Sequence, residues 1–401
     1  MSSLEKEPEP SMSMESTPTP LLPDDLLLSC FARVSRLYYP TLSLVSKRFR
    51  SLLTSPELYK ARTLLGHTEN CLYVCFESYP RSLWYTLCLK PNQTLINDTS
   101  DWEDKKKKKN ESSGYVLARV PIPSSPRVRF PGLVAVGSDI YGIEDGIPYF
   151  EKKEERSSSN VWILDCRIHT WCEAPSLPVK LMTLSASFLD GNIYVAGSSY
   201  KDGNWKNTIE VFDTKTQIWD TESIDPCSET KCNFNNSRSA CIDGKLHVLQ
   251  NREETVAYNS KESEWDLVGG EMGHYKIYYS YCVIENVMYS LNSNGVLRWY
   301  DTDVSRWRCL TGLEGLPEFL HDARIRLADY GGKLAVLWEG KIENDPYDLR
   351  QGGGYNKIWY AEIALERRQK GREIWGTVEW LDNVLTVPKS CNLVKVLAVT
   401  V

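Results

Sequence analysis

Histidine is scarce in this sequence, long apolar runs are missing and positive charge is in deficit, and each shortage removes a class of function. Five histidines, His67, His169, His247, His274 and His321, are spread over 401 residues without a ligand-spaced neighbour, so no histidine metal centre is written locally. His247 alternates with Leu246 and Val248 and reads as a packed strand residue. Neither a Gly-x-Ser-x-Gly elbow nor a His-Glu-x-x-His pair occurs, which removes the sequence marks of common hydrolases and zinc proteases. No apolar stretch approaches the ~18 residues of a membrane span. Lys and Arg number 47 against 53 Asp and Glu, a net charge of −6, the wrong balance for gripping nucleic acid over a broad surface. Met1–Pro20 is acidic, rich in Ser and Pro and without an apolar centre. It reads as a disordered tail and not as a secretory leader.

The 12 cysteines are scattered: Cys71 and Cys75 share one face of a strand-like run, and Cys227 and Cys232 are followed by no ligand-spaced His or Cys. Free thiols in a reducing compartment, cytoplasmic or nuclear, are the expectation. The sequons at Asn92, Asn97, Asn110 and Asn235 would then go unused. Lys105–Lys109 are bracketed by Asp101, Glu103, Asp104 and Glu111, whose charge cancels theirs, so a solvated loop is expected there ahead of an import signal. Gly352–Gly354 lack the Lys-Ser/Thr and helix of a phosphate loop. No cofactor and no metal is expected.

What the chain does have falls into two parts. From Leu21 to Leu65 apolar residues recur at helical spacing. Leu22, Leu26, Cys30, Val34 and Leu37 mark a first helix, with Asp24 and Asp25 in the first turn, where carboxylates complement the helix dipole. Pro40 opens a second, carrying Leu42, Leu44, Val45, Phe49, Leu52 and Leu53, and Ser55-Pro56 caps a third. Three short helices cannot bury this much apolar surface alone, so the segment needs a partner.

Beyond it the chain repeats. An acid or amide is followed six residues later by Trp in Asp165/Trp171, Asp213/Trp219, Asn259/Trp265 and Asp301/Trp307, with the tryptophans 48, 46 and 42 residues apart. Upstream of each lies a turn and an alternating run, as in Gly191-Asn192-Ile193-Tyr194 and Gly244-Lys245-Leu246-His247. Each unit reads as four antiparallel strands, a propeller blade. The fixed offset makes Asp165, Asp213 and Asp301 turn-capping residues and not catalytic acids. A fifth unit takes Trp375 as its repeat Trp. Leu72–Leu89 and Cys391–Val401, each too short for a blade, together supply a sixth and close the ring.

Leu22-Pro23, Val45-x-Lys47-x-Phe49 and Ser55-Pro56-Glu57-Leu58 resemble an F-box, and Tyr39–Lys47 is similar to the F-box of plant F-box/kelch-repeat proteins. The repeats resemble kelch motifs, though Ala196-Gly197-Ser198, Leu249-Gln250-Asn251 and Leu291-Asn292-Ser293 stand where kelch blades usually carry Gly-Gly. The resemblance implies a mainly β protein: an N-terminal three-helix F-box over 21–66, then a six-bladed kelch-type propeller over 70–401, closed by C-terminal strands pairing with 71–89. It implies a non-catalytic substrate receptor of an SCF-type (cullin–RING) ubiquitin ligase. The F-box would bind the Skp-type adaptor through Leu22, Pro23, Leu26, Leu44, Val45, Lys47 and Phe49, and the propeller would recruit a protein target. A propeller enzyme, a small-molecule-binding propeller and a non-ligase scaffold are the alternatives. No nucleic acid or membrane partner is expected. Loops between blades and after each second strand share one face, which puts Arg127, Arg129, Arg238, Tyr275, Lys276, His321 and Arg324 at the place to meet a target.

Overall fold

A computed structural model describes residues 22–78, 81–90, 114–122, 125–126, 128–145, 160–201, 204–226, 233–250, 255–269, 271–273, 280–292, 294–319, 324–341, 354–368 and 371–401. The readings placed on Met1–Pro20, Lys105–Lys109, Cys227 and Cys232 lie outside them. Among the described residues no helix is long and apolar enough to cross a membrane.

The N-terminal segment folds as α1 (Asp24–Phe31), α2 (Tyr39–Leu42), α3 (Lys47–Leu53) and α4 (Pro56–Leu64). The second expected helix is therefore interrupted. Ser46 turns extended and its hydroxyl accepts from the Phe49 amide at 3.0 Å, an N-cap that starts α3 afresh. Ser55 caps α4 in the same way through the Leu58 amide.

Three strands follow: β1 (Asn70–Ser78), β2 (Arg81–Leu89) and β3 (Tyr115–Arg119). A second blade is β4 (Leu133–Val136), β5 (Asp139–Ile143), β6 (Val161–Asp165) and β7 (Thr170–Ala174). The third is β8 (Thr183–Leu189), β9 (Asn192–Lys201), β10 (Asn204–Asp213) and β11 (Ile218–Trp219). The fourth is β12 (Arg238–Ile242), β13 (Lys245–Leu249), β14 (Thr255–Asn259) and β15 (Glu264–Gly269). The fifth is β16 (Tyr281–Ile284), β17 (Val287–Leu291), β18 (Leu297–Asp301) and β19 (Arg306–Cys309). The sixth is β20 (Ile325–Tyr330), β21 (Lys333–Lys341), β22 (Tyr355–Arg368) and β23 (Glu373–Pro388). The last strand, β24 (Asn392–Thr400), pairs with β1, so the first sheet runs β24-β1-β2-β3. All six sheets have four strands. The innermost strands β24, β4, β8, β12, β16 and β20 neighbour one another in a closed circle. Tyr115–Arg119 is the outer strand of the first blade, paired with β2.

The six-residue offset has a local cause. The side chain of Asp165, Asp213, Asn259 or Asp301 accepts from the amide two residues on, at 2.7 to 3.1 Å. Two residues later His169, Gln217, Ser263 or Ser305 turns left-handed, with φ from 52° to 58°. The chain then re-enters the sheet with Trp opposite the residue before the acid: Leu164↔Trp171, Phe212↔Trp219, Tyr258↔Trp265 and Tyr300↔Trp307. Only Trp219 of these four is fully buried; the others are half-buried. In the sixth blade the same register runs Leu334↔Ile363↔Val378, so Val378 and not Trp375 holds the repeat position. Trp375 sits three residues farther along the hairpin extension, bridged to Thr311 of the fifth blade. The turns joining first to second strands carry positive φ at both central residues in Asp190-Gly191, Asp243-Gly244, Glu285-Asn286 and Gly331-Gly332, the twist that tight hairpins demand.

Candidate functional site

Two surfaces stand out as candidates for function, and the helices carry the first. Leu22, Leu26, Leu44 and Val45 are 56%, 50%, 70% and 64% exposed, unusual for large apolar side chains clustered in one small unit. Pro23 and Lys47 are exposed beside them. Arg48 gathers the group: its guanidinium donates to the Asp24 carboxylate at 2.7 Å and to the Leu22 carbonyl at 2.6 Å, tying the start of α1 to α3. Phe49 differs from the rest. It is half-buried and meets Phe31 edge-on at 4.8 Å within the helices' own core.

The opposite side of the helices is seated on the propeller. Leu27, Phe31, Tyr39, Leu58 and Tyr59 share one apolar core with Cys71, Tyr73, Trp84, Leu133 and Leu164 of the first two blades. Glu69 centres the polar contacts. Its carboxylate accepts from the Ser35 hydroxyl at 2.7 Å, the Arg36 amide at 2.5 Å and the Arg62 guanidinium at 2.7 Å. Its backbone pairs both ways with Val401 at 2.9 Å. Arg36 donates to the Cys166 carbonyl at 2.8 Å, as does the Tyr73 hydroxyl at 2.9 Å, and that hydroxyl lies 2.8 Å from His169 Nε2. Burial, aided by the Arg36 charge, pushes the His169 imidazole down to about 4, so it is neutral here. Cys166 and His169 belong to the β6–β7 turn, so the helices rest on the end of the propeller that carries the short turns.

The second surface is the opposite end, where the loops between blades enter the inner strands. Arg238 opens β12, its guanidinium donating to the Ser237 carbonyl at 2.8 Å. Arg324 precedes β20 and donates to the Asn392 side chain at the start of β24. These two come to the same mouth. Arg129 is ion-paired with Asp145 at 3.2 Å, which offsets its charge. Arg127, Tyr275, Lys276 and His321 lie outside the described residues. The channel just inside holds residues that sequence reasoning missed. Lys395 on β24 points its ammonium at the Phe130 ring, 3.8 Å from the centroid, and donates to the Phe130 carbonyl at 3.3 Å. Arg326 on β20 lies 5.6 Å from the same ring and is fixed by bonds to the Val394 and Ile325 carbonyls at 2.5 and 2.8 Å. Tyr281 on β16 meets Phe130 edge-on at 6.1 Å and donates to the Ser239 carbonyl at 2.8 Å. Burial, together with Arg238 and Arg326, holds the Lys395 amine down to about 7. Burial pushes the Tyr281 phenol up to about 12. The one sequence mark of Lys395 is its solitary charge in the apolar strand Asn392–Thr400. On the rim, Tyr200 and Trp205 pair at 5.1 Å at the β9–β10 tip, 57% and 55% exposed.

An F-box seated on a six-bladed kelch propeller is thus the class that fold and surfaces define. The F-box domain family matches residues 20–61 and the FKB95, Kelch-repeats domain matches 84–385. F-box/kelch-repeat protein At5g51250 of Arabidopsis thaliana is 57% identical over 94% of this chain and 98% of its own length. Putative F-box/kelch-repeat protein At5g38680 of the same plant is 51% identical over 98% of both. The chain belongs to the F-box/kelch-repeat family. The solved structure of YjhT, at TM-score 0.37 and 12% identity over 60% of this chain and 82% of its own, is too distant to bear on function.

Proposed function

We propose that the chain is a substrate receptor of an SCF-type ubiquitin ligase. One observation carries the reading: Leu22, Leu26, Leu44 and Val45 stay exposed although other apolar residues of the F-box, Leu27, Phe31, Tyr39, Leu58 and Tyr59 among them, are packed on the propeller. A patch of this kind supplies the apolar centre of an adaptor interface, with Pro23 and Lys47 at its border and Phe49 supporting it from behind. The Skp-type adaptor docks there and brings the cullin–RING ligase. The loop face at the far end, with Arg238, Arg324 and the Tyr200/Trp205 pair, takes the protein target, and acidic segments suit its charge. The chain makes no bond itself; it raises the effective concentration of target near the ubiquitin-charged enzyme.

The test is co-expression of the full chain with a Skp-type adaptor. A stable complex that joins a cullin–RING core is expected, and L44D should abolish it without loss of propeller folding. Failure of the wild-type chain to retain adaptor would overturn the reading.

A further inference from the structure

A lysine borders the channel just inside the loop-face mouth. Lys395 lies three residues along β24 from Asn392, which meets Arg324 at the mouth, so its backbone sits about 10 Å in at the rise of a strand. It remains partly exposed there. Its ammonium lies over the Phe130 ring, 3.8 Å from the centroid, and among the described residues its hydrogen bonding is to the Phe130 carbonyl alone, at 3.3 Å. The titratable and charged groups that face it are Arg238, Arg326 and the Cys282 thiol, with Tyr281 across the ring. No described carboxylate is among them, and burial keeps both the thiol and the phenol protonated at neutral pH. Lost hydration is the larger cause that favours the neutral amine. The two guanidiniums, each bonded to protein carbonyls, add to it. About half of Lys395 is therefore an uncharged amine near pH 7, and a lysine so held is a nucleophile toward carbonyl carbon.

The wall beside this amine is aromatic. Phe130 and Tyr281 meet edge-on at 6.1 Å. The Tyr281 hydroxyl donates to the Ser239 carbonyl at 2.8 Å, and the Ser239 hydroxyl is bonded to those of Ser185 and Ser187 at 2.9 and 2.8 Å. With its polar tip so engaged, the wall offers ring surface to an entering molecule. We propose that Lys395 captures a small aromatic aldehyde or ketone as a reversible imine, the flat apolar part of the ligand lying along Phe130 and Tyr281. The amine lone pair attacks the carbonyl carbon and opens the C=O bond. Both amine protons pass through solvent to the oxygen, which departs as water as the C=N bond forms. No oxidant or reductant enters, and added water reverses the step. The site goes beyond the receptor reading and does not rest on it.

The experiment incubates the full chain with benzaldehyde or butanal, traps imines with cyanoborohydride, and reads each lysine by peptide mass from pH 6 to 9. An ordinary lysine titrates at about 10.4, so only about 0.04% of it is neutral at pH 7, roughly a thousandfold less than Lys395. Lower basicity slows attack and takes back part of that advantage, so Lys395 should be labelled at least about tenfold faster than any other lysine. Its rate should level off above about pH 8 while the others go on rising about tenfold per pH unit. Benzaldehyde should label it faster than butanal. K395R, which keeps the charge but forms no imine, should lose this adduct and no other. The α-amino group, which titrates at about 8, is read on its own peptide. Labelling of Lys395 no faster than elsewhere, or rising in parallel with the other lysines through pH 9, overturns the proposal. Equal labelling by both aldehydes overturns the aromatic wall as the binding surface. The rate and pH readouts use the wild-type chain, so they decide the matter even if K395R fails to fold.

Discussion

Replacing Leu44 and Val45 together with Ala is the sharpest probe of the adaptor surface, and the structure sets its size. Leu→Ala removes three carbons and Val→Ala two, each worth about 0.8 kcal/mol when moved from water to a dry interface. Leu44 is already 30% and Val45 36% covered in the free chain, the complements of their 70% and 64% exposure. Only the exposed part remains to be gained on docking, which leaves about 1.7 and about 1 kcal/mol. Together the loss is roughly 100-fold in Kd. Because both side chains point to solvent, folding stability should change by less than about 0.5 kcal/mol. Phe49→Ala is a poor substitute for this test. Its ring packs on Phe31 inside the F-box, so its removal loosens the helices and weakens adaptor binding indirectly. The assay is a titration of purified adaptor onto immobilised full chain, with helical circular dichroism and denaturant midpoints alongside. An affinity within about twofold of wild type, with the fold intact, would refute the placement of the adaptor on this patch.

Trp219→Ala should cost roughly 3–5 kcal/mol in denaturant unfolding, because the indole is buried, meets Phe212 at 5.0 Å and donates to the Pro175 carbonyl at 2.8 Å. Trp265→Ala and Trp307→Ala should cost less, their rings being half-buried; equal losses at all three would contradict the packing described. His169, held down at about 4 against an ordinary 6.5, is neutral in both folded and unfolded chains above pH 6.5. Between 6.5 and 4 only the unfolded chain takes up the proton, so stability falls with pH by up to ~1.4 kcal/mol per unit and then levels off. H169Q should flatten that part of the stability curve, and parallel curves for the two proteins would sink the argument. Deleting residues 391–401 removes the inner strand of the first blade and bares the edge of β1, so aggregation or rapid proteolysis is expected; a soluble, protease-resistant product would count against closure of the ring by β24.

The repeat was legible because its cause is local. An Asx turn, a left-handed residue and a Trp all lie within seven residues, and the turns of Asp190-Gly191 and Asp243-Gly244 announce themselves by composition. The F-box was legible for the same reason, apart from two breaks: α1 ends at Phe31, short of the expected Val34 and Leu37, and before α3 one Ser46 hydroxyl outweighs the helical spacing of Leu42, Val45 and Phe49. Trp375 misled because a spacing rule does not see that the hairpin carrying it has been lengthened. The channel cluster was hidden for a different reason. Phe130, Tyr281, Arg326 and Lys395 meet only through the closed ring, with Lys395 bonded to a carbonyl 265 positions away. Arg324 was picked out and Arg326 passed over, although strand alternation puts residues two apart on the same face.

The pairing of Glu69 with Val401 also bears on the order of events during synthesis. The F-box leaves the ribosome first, and at about 5–20 residues per second the rest of the chain follows over tens of seconds. Throughout that interval Glu69 lacks the backbone partner at Val401 that fixes its carboxylate beneath Arg36 and Arg62. Seating of the F-box is therefore completed only once Val401 is in place. A product cut short before Val401 would lack this tie between Glu69 and the inner strand of the first blade, and its F-box would be held less firmly on the propeller.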